Sequence, residues 1–206
     1  MRACVVRDVD CAEFMAQMTP AIGLVNLIIL SRGVAQRKED VAEISRIEQC
    51  TVLAQVDRVE NGNIIHSCLL ADCGEMHGWL DASHALDGSG VGDRLRLLDV
   101  TAGRIGMLVG DDAMYPEVSR ALRKAGAEFL VILGTRATLE SVVLARAHAV
   151  ANGIRIFCAY PQCGFIADFD GSAKTFDGRV VTVSCGKKQS NRLLLGLRPQ
   201  LYDIYD

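Results

Sequence analysis

Short apolar runs alternate along this chain with segments whose apolar residues recur at helical spacing. Ala3–Arg7, Val25–Leu30, Phe129–Leu133 and Ile154–Tyr160 predict buried strands, and Arg94–Asp99 and Arg104–Val109 predict two more around Thr101-Ala102-Gly103. Thr51–Arg58 and Asn63–Ala71 predict a paired hairpin, because Asn61-Gly62 suits a tight two-residue turn. A second hairpin is expected across Gly171–Ser184 around Asp177-Gly178. Between the strands lie the helical segments. One runs from about Cys11 to Met18 and is stopped by Pro20. Another spans Glu39–Glu48 with Val41, Ile44 and Ile47 on one face. Pro116–Ala125 carries proline at its first position, and Leu139–Ala151 presents Leu139, Val142, Val143 and Val150 as its apolar stripe before Asn152-Gly153 closes it.

Helices that follow central strands, with hairpins beside them, indicate mixed sheets covered by helices on the outside. Periodicity alone also allows a plain three-layer α/β fold. The 206 residues fit one domain, 1–206, with a C-terminal tail from about residue 187. Half of the residues are hydrophobic and 5% aromatic, so the core should be aliphatic. A net charge of −3 gives no basic footprint for nucleic acid. The longest apolar stretch, Ala21–Leu30, is short and contains Asn26, so no membrane span is expected. The first residues lack the apolar core of a signal peptide, which makes the cytoplasm the expected location. Cys4, Cys50, Cys68 and Cys158 lie inside apolar runs and are expected to be reduced and packed as small hydrophobes.

The segment from Gly103 to Glu117 carries the most specific signal. An apolar strand runs into the acidic turn Gly110-Asp111-Asp112, and a helix opens at Pro116-Glu117. This resembles the nucleophile strand of the carbon–nitrogen hydrolase (nitrilase/amidase) family, where a strand is followed by Cys, an aromatic, Asp, two variable residues, an aromatic, Pro and Glu. Asp112, Tyr115, Pro116 and Glu117 fall on that pattern without a gap. Val25–Arg32 resembles the family's first signature, Asn63–Leu86 stands in place of the second, and Arg146-Ala147 with Asn152 resembles a later helix. The resemblance implies a four-layer α-β-β-α sandwich with two mixed β-sheets.

A hydrolase of this family uses a Glu base, a Cys nucleophile and a Lys that stabilises the anionic intermediate. The resemblance puts these roles on Arg32, Gly110 and Ala82, or on Asp81 in place of Ala82 if the loop shifts by one. No lysine lies between Lys38 and Lys124, and no cysteine between Cys73 and Cys158, so realignment does not restore the set. Arginine accepts no proton, and glycine has no side chain with which to attack. The chain therefore reads as a degenerate member without a working triad. Drift after relaxed selection and a pocket rebuilt for binding both explain the three changes.

On the second explanation Arg32 pairs with Asp111 or Asp112, or else with Asp81, in a pocket that also includes Tyr115, Glu117 and Arg146 and takes a small carboxylate or phosphate. Asp112 and Glu117 are expected to stabilise the start of the Pro116 helix, and Arg146 to reach Glu117 or the Asp111-Asp112 turn. A third reading keeps amidohydrolase activity with a relocated nucleophile, Cys163 or Cys73. His66, Cys68, Asp72, Cys73, His77 and His84 cluster in sequence, but at no common zinc spacing, so neither metal nor cofactor is expected. Family resemblance also implies a homodimer, packed through the Pro116 and Leu139 helices and the leucine-rich tail.

Overall fold

The computed structural model describes residues 1–21, 25–35, 37–86, 88–95, 97–176 and 178–186. The tail assigned to the dimer surface lies outside them. Two six-stranded mixed sheets form the centre. The first has the order β12-β1-β2-β3-β4-β5, built from β1 (Arg2–Val6), β2 (Leu27–Leu30), β3 (Thr51–Glu60), β4 (Asn63–Asp72), β5 (Glu75–Asp81) and β12 (Val180–Ser184). The second has the order β11-β10-β9-β8-β7-β6, from β6 (Leu97–Val100), β7 (Gly103–Val109), β8 (Phe129–Leu133), β9 (Arg155–Ala159), β10 (Gly164–Ala167) and β11 (Ala173–Phe176). Helices α1 (Cys11–Ala21) and α2 (Lys38–Glu48) follow strands of the first sheet, and α3 (Pro116–Lys124) and α4 (Leu139–Asn152) follow strands of the second.

The burial pattern explains the layering. Leu27 and Ile29 of β2 join Val131 and Leu133 of β8 in one buried cluster between the sheets. Ile28 and Leu30 instead pack with Phe14, Val41 and Ile44 of α1 and α2. Leu130 and Ile132 pack with Leu122 and Ala149 of α3 and α4. Strands buried on both faces need continuous apolar runs, which is why these central segments show no polar alternation. Three apolar interfaces separate four layers, the α-β-β-α sandwich.

Several local expectations change. The helix α1 passes Pro20 and ends at Ala21, with the proline in its last turn. In α2, Ser45 takes the buried place given to Ile47, which is exposed. In α4 the expected stripe is turned outward: Leu139, Val143 and Val150 are exposed, while Ala145, His148, Ala149 and Asn152 face inward. Small residues let this helix approach its sheet closely, and the buried polar pair is satisfied: Asn152 donates to Ser119 Oγ (3.0 Å), and His148 Nε2 donates to Ala113 O (2.8 Å). The expected C-terminal hairpin does not form. Strand β11 pairs with β10 and β12 with β1, so the chain crosses between sheets there. Strand β5, which Gly78 and His77 disguise, pairs with β4 across a bulge at Leu70/Ala71.

Candidate functional site

The hairpin β3–β4 turns at Asn61 (φ 52°) and Gly62 (φ 81°), and this fixes its register. Asp57 then stands opposite His66, and Gln55 opposite Cys68. Leu53 and Cys68 belong to the cluster between the sheets. Side chains alternate along a strand, so Gln55, Asp57 and His66 share that inward face. Strand β2 pairs Leu30 with Ala54 and carries Ser31 just beyond. These residues sit at the end of the sandwich where β7 runs out into Gly110.

Gly110 begins a 3₁₀ turn, Gly110–Met114, with φ 59°, a conformation that favours glycine. A β-carbon placed there would lie 3.4 Å from His66 Cβ, 3.5 Å from His66 Cδ2 and 3.7 Å from Ala82 Cβ. Gly110 and Ala82, the positions assigned to nucleophile and lysine, are therefore neighbours. The His66 side chain lies against the same point.

Arg32 is placed differently from expectation. Its guanidinium pairs with Asp57, not with Asp111, Asp112 or Asp81, and its side chain is 42% exposed. The other oxygen of Asp57 accepts from His66 Nδ1 at 2.8 Å. Arg32 is thus linked to the Gly110 site through Asp57 and His66, from the mouth and not from the floor. The three acidic residues first offered to it have other partners. Asp81 accepts from two of the three Arg58 nitrogens (3.1 and 2.7 Å) and from the Ser67 hydroxyl (2.6 Å). Asp111 accepts from Leu86 N at 2.7 Å.

Asp112 is buried and accepts from Val109 N (3.1 Å), Ser83 N (2.9 Å) and His84 Nδ1 (3.0 Å). It ties the β7 turn to the loop after β5, which replaces its expected role at the start of α3. Burial pushes its carboxyl above the ordinary aspartate range, against the pull of these donors. Tyr115 stacks on His84 with ring centres 4.0 Å apart. Glu117 is exposed in the first turn of α3, and Met114 is also exposed. Arg146 does not reach the turn; its Nε donates to Gly171 O at 2.6 Å.

Space at this end is limited. Between Leu80, Met107, Val109 and Asp112 lies a cavity of about 10 Å³, the size of one water. A depression of about 360 Å³ adjoins Arg32, but Asp8, Asp10 and Glu13 line it, and Arg179 there is engaged by Glu13. That wall opposes an anion. Among the described residues, neither candidate thiol is shown hydrogen-bonded to a general base. Burial pushes the Cys163 thiol up, with Arg7 opposing, and Cys73 is exposed with its sulfur 3.4 Å from Thr101 Oγ1. Among the described residues, no group of three or more His, Cys, Asp or Glu is arranged to hold a metal.

The sequence profile of the carbon-nitrogen hydrolase family matches residues 42–173. The chain belongs to the carbon–nitrogen hydrolase family. Solved structures agree on the fold of this family member. A cysteine-to-alanine mutant of the amidase of Nesterenkonia AN1, from the nitrilase superfamily, superposes with a TM-score of 0.76 at 17% identity, covering 98% of this chain and 96% of that one. Nit3 of Saccharomyces cerevisiae, a member of branch 10 of the nitrilase superfamily, gives 0.76 at 12% identity over 89% of each chain. A carbon–nitrogen hydrolase of Helicobacter pylori G27 gives 0.72 at 17% identity, over 84% of this chain and 83% of that one. No curated protein matches the chain by sequence.

Asp57, His66 (weighed only within the metal cluster), Gln55 and Ser31 were not singled out as a pocket by sequence reasoning. The signal was present for the first two: counting outward from Asn61-Gly62 sets Asp57 against His66. For Ser31 and Gln55 only burial marks them.

Proposed function

We propose that this carbon–nitrogen hydrolase family member does not hydrolyse C–N bonds and retains the fold as a binding scaffold. The supporting observation is that a β-carbon placed on Gly110 would meet His66 at 3.4 and 3.5 Å and Ala82 at 3.7 Å. A substrate carbonyl held there would meet an imidazole ring and no thiol. Its developing negative charge would face Ala82, which offers no cation. The guanidinium of Arg32 is committed to Asp57 and accepts no proton, so it replaces no general base.

Cysteine reactivity tests this reading. With a haloacetamide, each thiol should label at a rate set by its burial, and excess acetamide should leave every rate unchanged. Protection of one cysteine by acetamide would mark a relocated nucleophile and overturn the proposal.

We also propose a cytoplasmic homodimer. No helix among the described residues is long and apolar enough to cross a membrane. Support for the dimer comes from the outer face of α4, where Leu139, Val143 and Val150 are exposed beside a groove of about 350 Å³ lined in part by Arg146. Exposed apolar patches of this kind mark interaction surfaces. Light scattering should give a dimer for the native chain and a folded monomer for Val143→Asp. A native monomer at micromolar concentration would remove the dimer.

A further inference from the structure

The outer side of α4 borders a groove of about 350 Å³ that reaches the turn joining β10 to β11. Val143, Ala147, Val150 and Ala151 supply its apolar wall, and Arg146 and Gly171 its polar edge. Val143 is 56% and Val150 37% exposed. The turn is tied to the helix, since Arg146 Nε donates to Gly171 O (2.6 Å) and Gly171 N donates to Asp168 O (2.9 Å). A β-carbon placed on Gly171 would lie 3.2 Å from Val150 Cγ2, so a side chain there would narrow the groove.

Strand β12 delivers the chain beside this groove. Cys185 N donates to Met1 O (2.8 Å), and the carbonyl of Gly186, the last described residue, accepts from Arg155 Nη1 (3.1 Å). The same guanidinium donates through Nε (3.2 Å) and Nη2 (2.6 Å) to Asp168, which opens the turn that carries Gly171. One guanidinium and one short turn separate Gly186 from the groove.

We infer that residues 193–206 of the same chain fill this groove. Residues 187–192 are polar or basic, and fully extended they span about 20 Å, enough to cross a side chain and a turn. Residues 193–206 then bring five leucines, an isoleucine and two tyrosines, a density of apolar side chains that gains by leaving water. The apolar wall of α4 gives them cover and is covered in return. Charge agrees at both ends. Lys187 and Lys188 leave beside Asp168 and Asp170, while Asp203 and Asp206 supply carboxylates for the Arg146 edge. Leu139, at the start of α4, is not part of the groove wall and stays available to the second copy proposed above. The inference stands apart from the non-catalytic reading and from the dimer.

Photo-crosslinking on the full chain tests it. Ala147→benzoylphenylalanine places the probe at an exposed position of the groove wall. Irradiation should join it to peptides from residues 193–206, in a product that keeps the mass of one chain on a denaturing gel. Leu194→Asp combined with Leu197→Asp should lower the yield at least about tenfold. A product of twice the mass, attachment only outside residues 193–206, or undiminished yield in the double variant would each overturn the inference. Light scattering on the unirradiated sample bears on the dimer alone, and a monomer that still gives the single-chain product would support the inference.

Discussion

The two ends of the layer between the sheets treat buried polarity in opposite ways. At the end where β3 starts, Asp72 accepts from Thr51 Oγ1 (2.6 Å), Thr101 N (2.8 Å) and Thr101 Oγ1 (2.8 Å), and Thr51 Oγ1 in turn accepts from Ala102 N (3.1 Å). This network stitches the β3–β4 edge of one sheet to the β6–β7 turn of the other, and all its groups are satisfied. At the opposite end, Ser31 and Gln55 carry polar atoms with no partner among the described residues. Unmet buried groups are destabilising by about 1–3 kcal/mol each. A fold that satisfies one end so fully has no structural reason to keep an amide unmet at the other. The comparison therefore separates polarity that holds the sandwich together from polarity left over from, or rebuilt for, a ligand.

Removing the clamp should have the largest effect. Asp72→Ala leaves the buried Thr51 hydroxyl without its acceptor, while the exposed Thr101 turns to water, and urea denaturation should show a loss of about 1–3 kcal/mol. A loss within error of zero would mean that water replaces the clamp and that the two ends do not differ energetically.

The next largest is expected at Gly110. Cysteine there adopts a left-handed backbone, so Gly110→Cys should be destabilised by about 1–2 kcal/mol. It should also release no ammonia from amides, because Arg32 and Ala82 still supply neither base nor lysine. Activity in this single variant would show that the other two roles are filled by residues not recognised above.

A gain is predicted at the pocket end. Gln55→Leu removes two unmet atoms and keeps the volume nearly constant, so it should raise stability by about 1 kcal/mol. If it destabilises the chain by a similar amount, the amide has a partner in the folded state and the contrast between the ends dissolves.

The smallest effect concerns pH. Burial raises the Asp112 carboxyl above its ordinary range, so the folded chain holds that proton more tightly than the unfolded one. The stability contribution is complete below the ordinary aspartate range and is lost as pH rises through the raised value. Relative to Asp112→Asn, the native chain should gain stability as pH falls from neutral toward about 4. A difference that shrinks on acidification would reverse the assigned sign.

Much of this was legible in the sequence, and the failures share causes. Strands β3, β4, β7 and β8 announce themselves by turn chemistry at Asn61-Gly62 and by apolar runs buried on both faces. The alignment of Ala82 with Gly110 in space followed from family motifs alone. Long-range choices were not legible. Nothing local tells β11 and β12 to join different sheets: β11 pairs with its neighbour β10, while β12 pairs with β1, far away in sequence. The α4 stripe misled because its large apolar residues face out and its small ones face in, against the usual expectation. Arg32 was placed on the wrong carboxylate for a similar reason. Asp57 becomes its nearest acid only once β2 and β3 lie side by side, and by then Asp81 belongs to Arg58.

The central claim is that a family built on hydrolysis is represented here by a chain that binds without cleaving. Purified protein incubated with a panel of short amides and nitriles tests it most directly, with ammonia followed over hours against a heat-denatured control. The account predicts that native and denatured samples release ammonia at the same rate for every compound. Release above the control by the native chain, abolished by alkylating its cysteines, would contradict it.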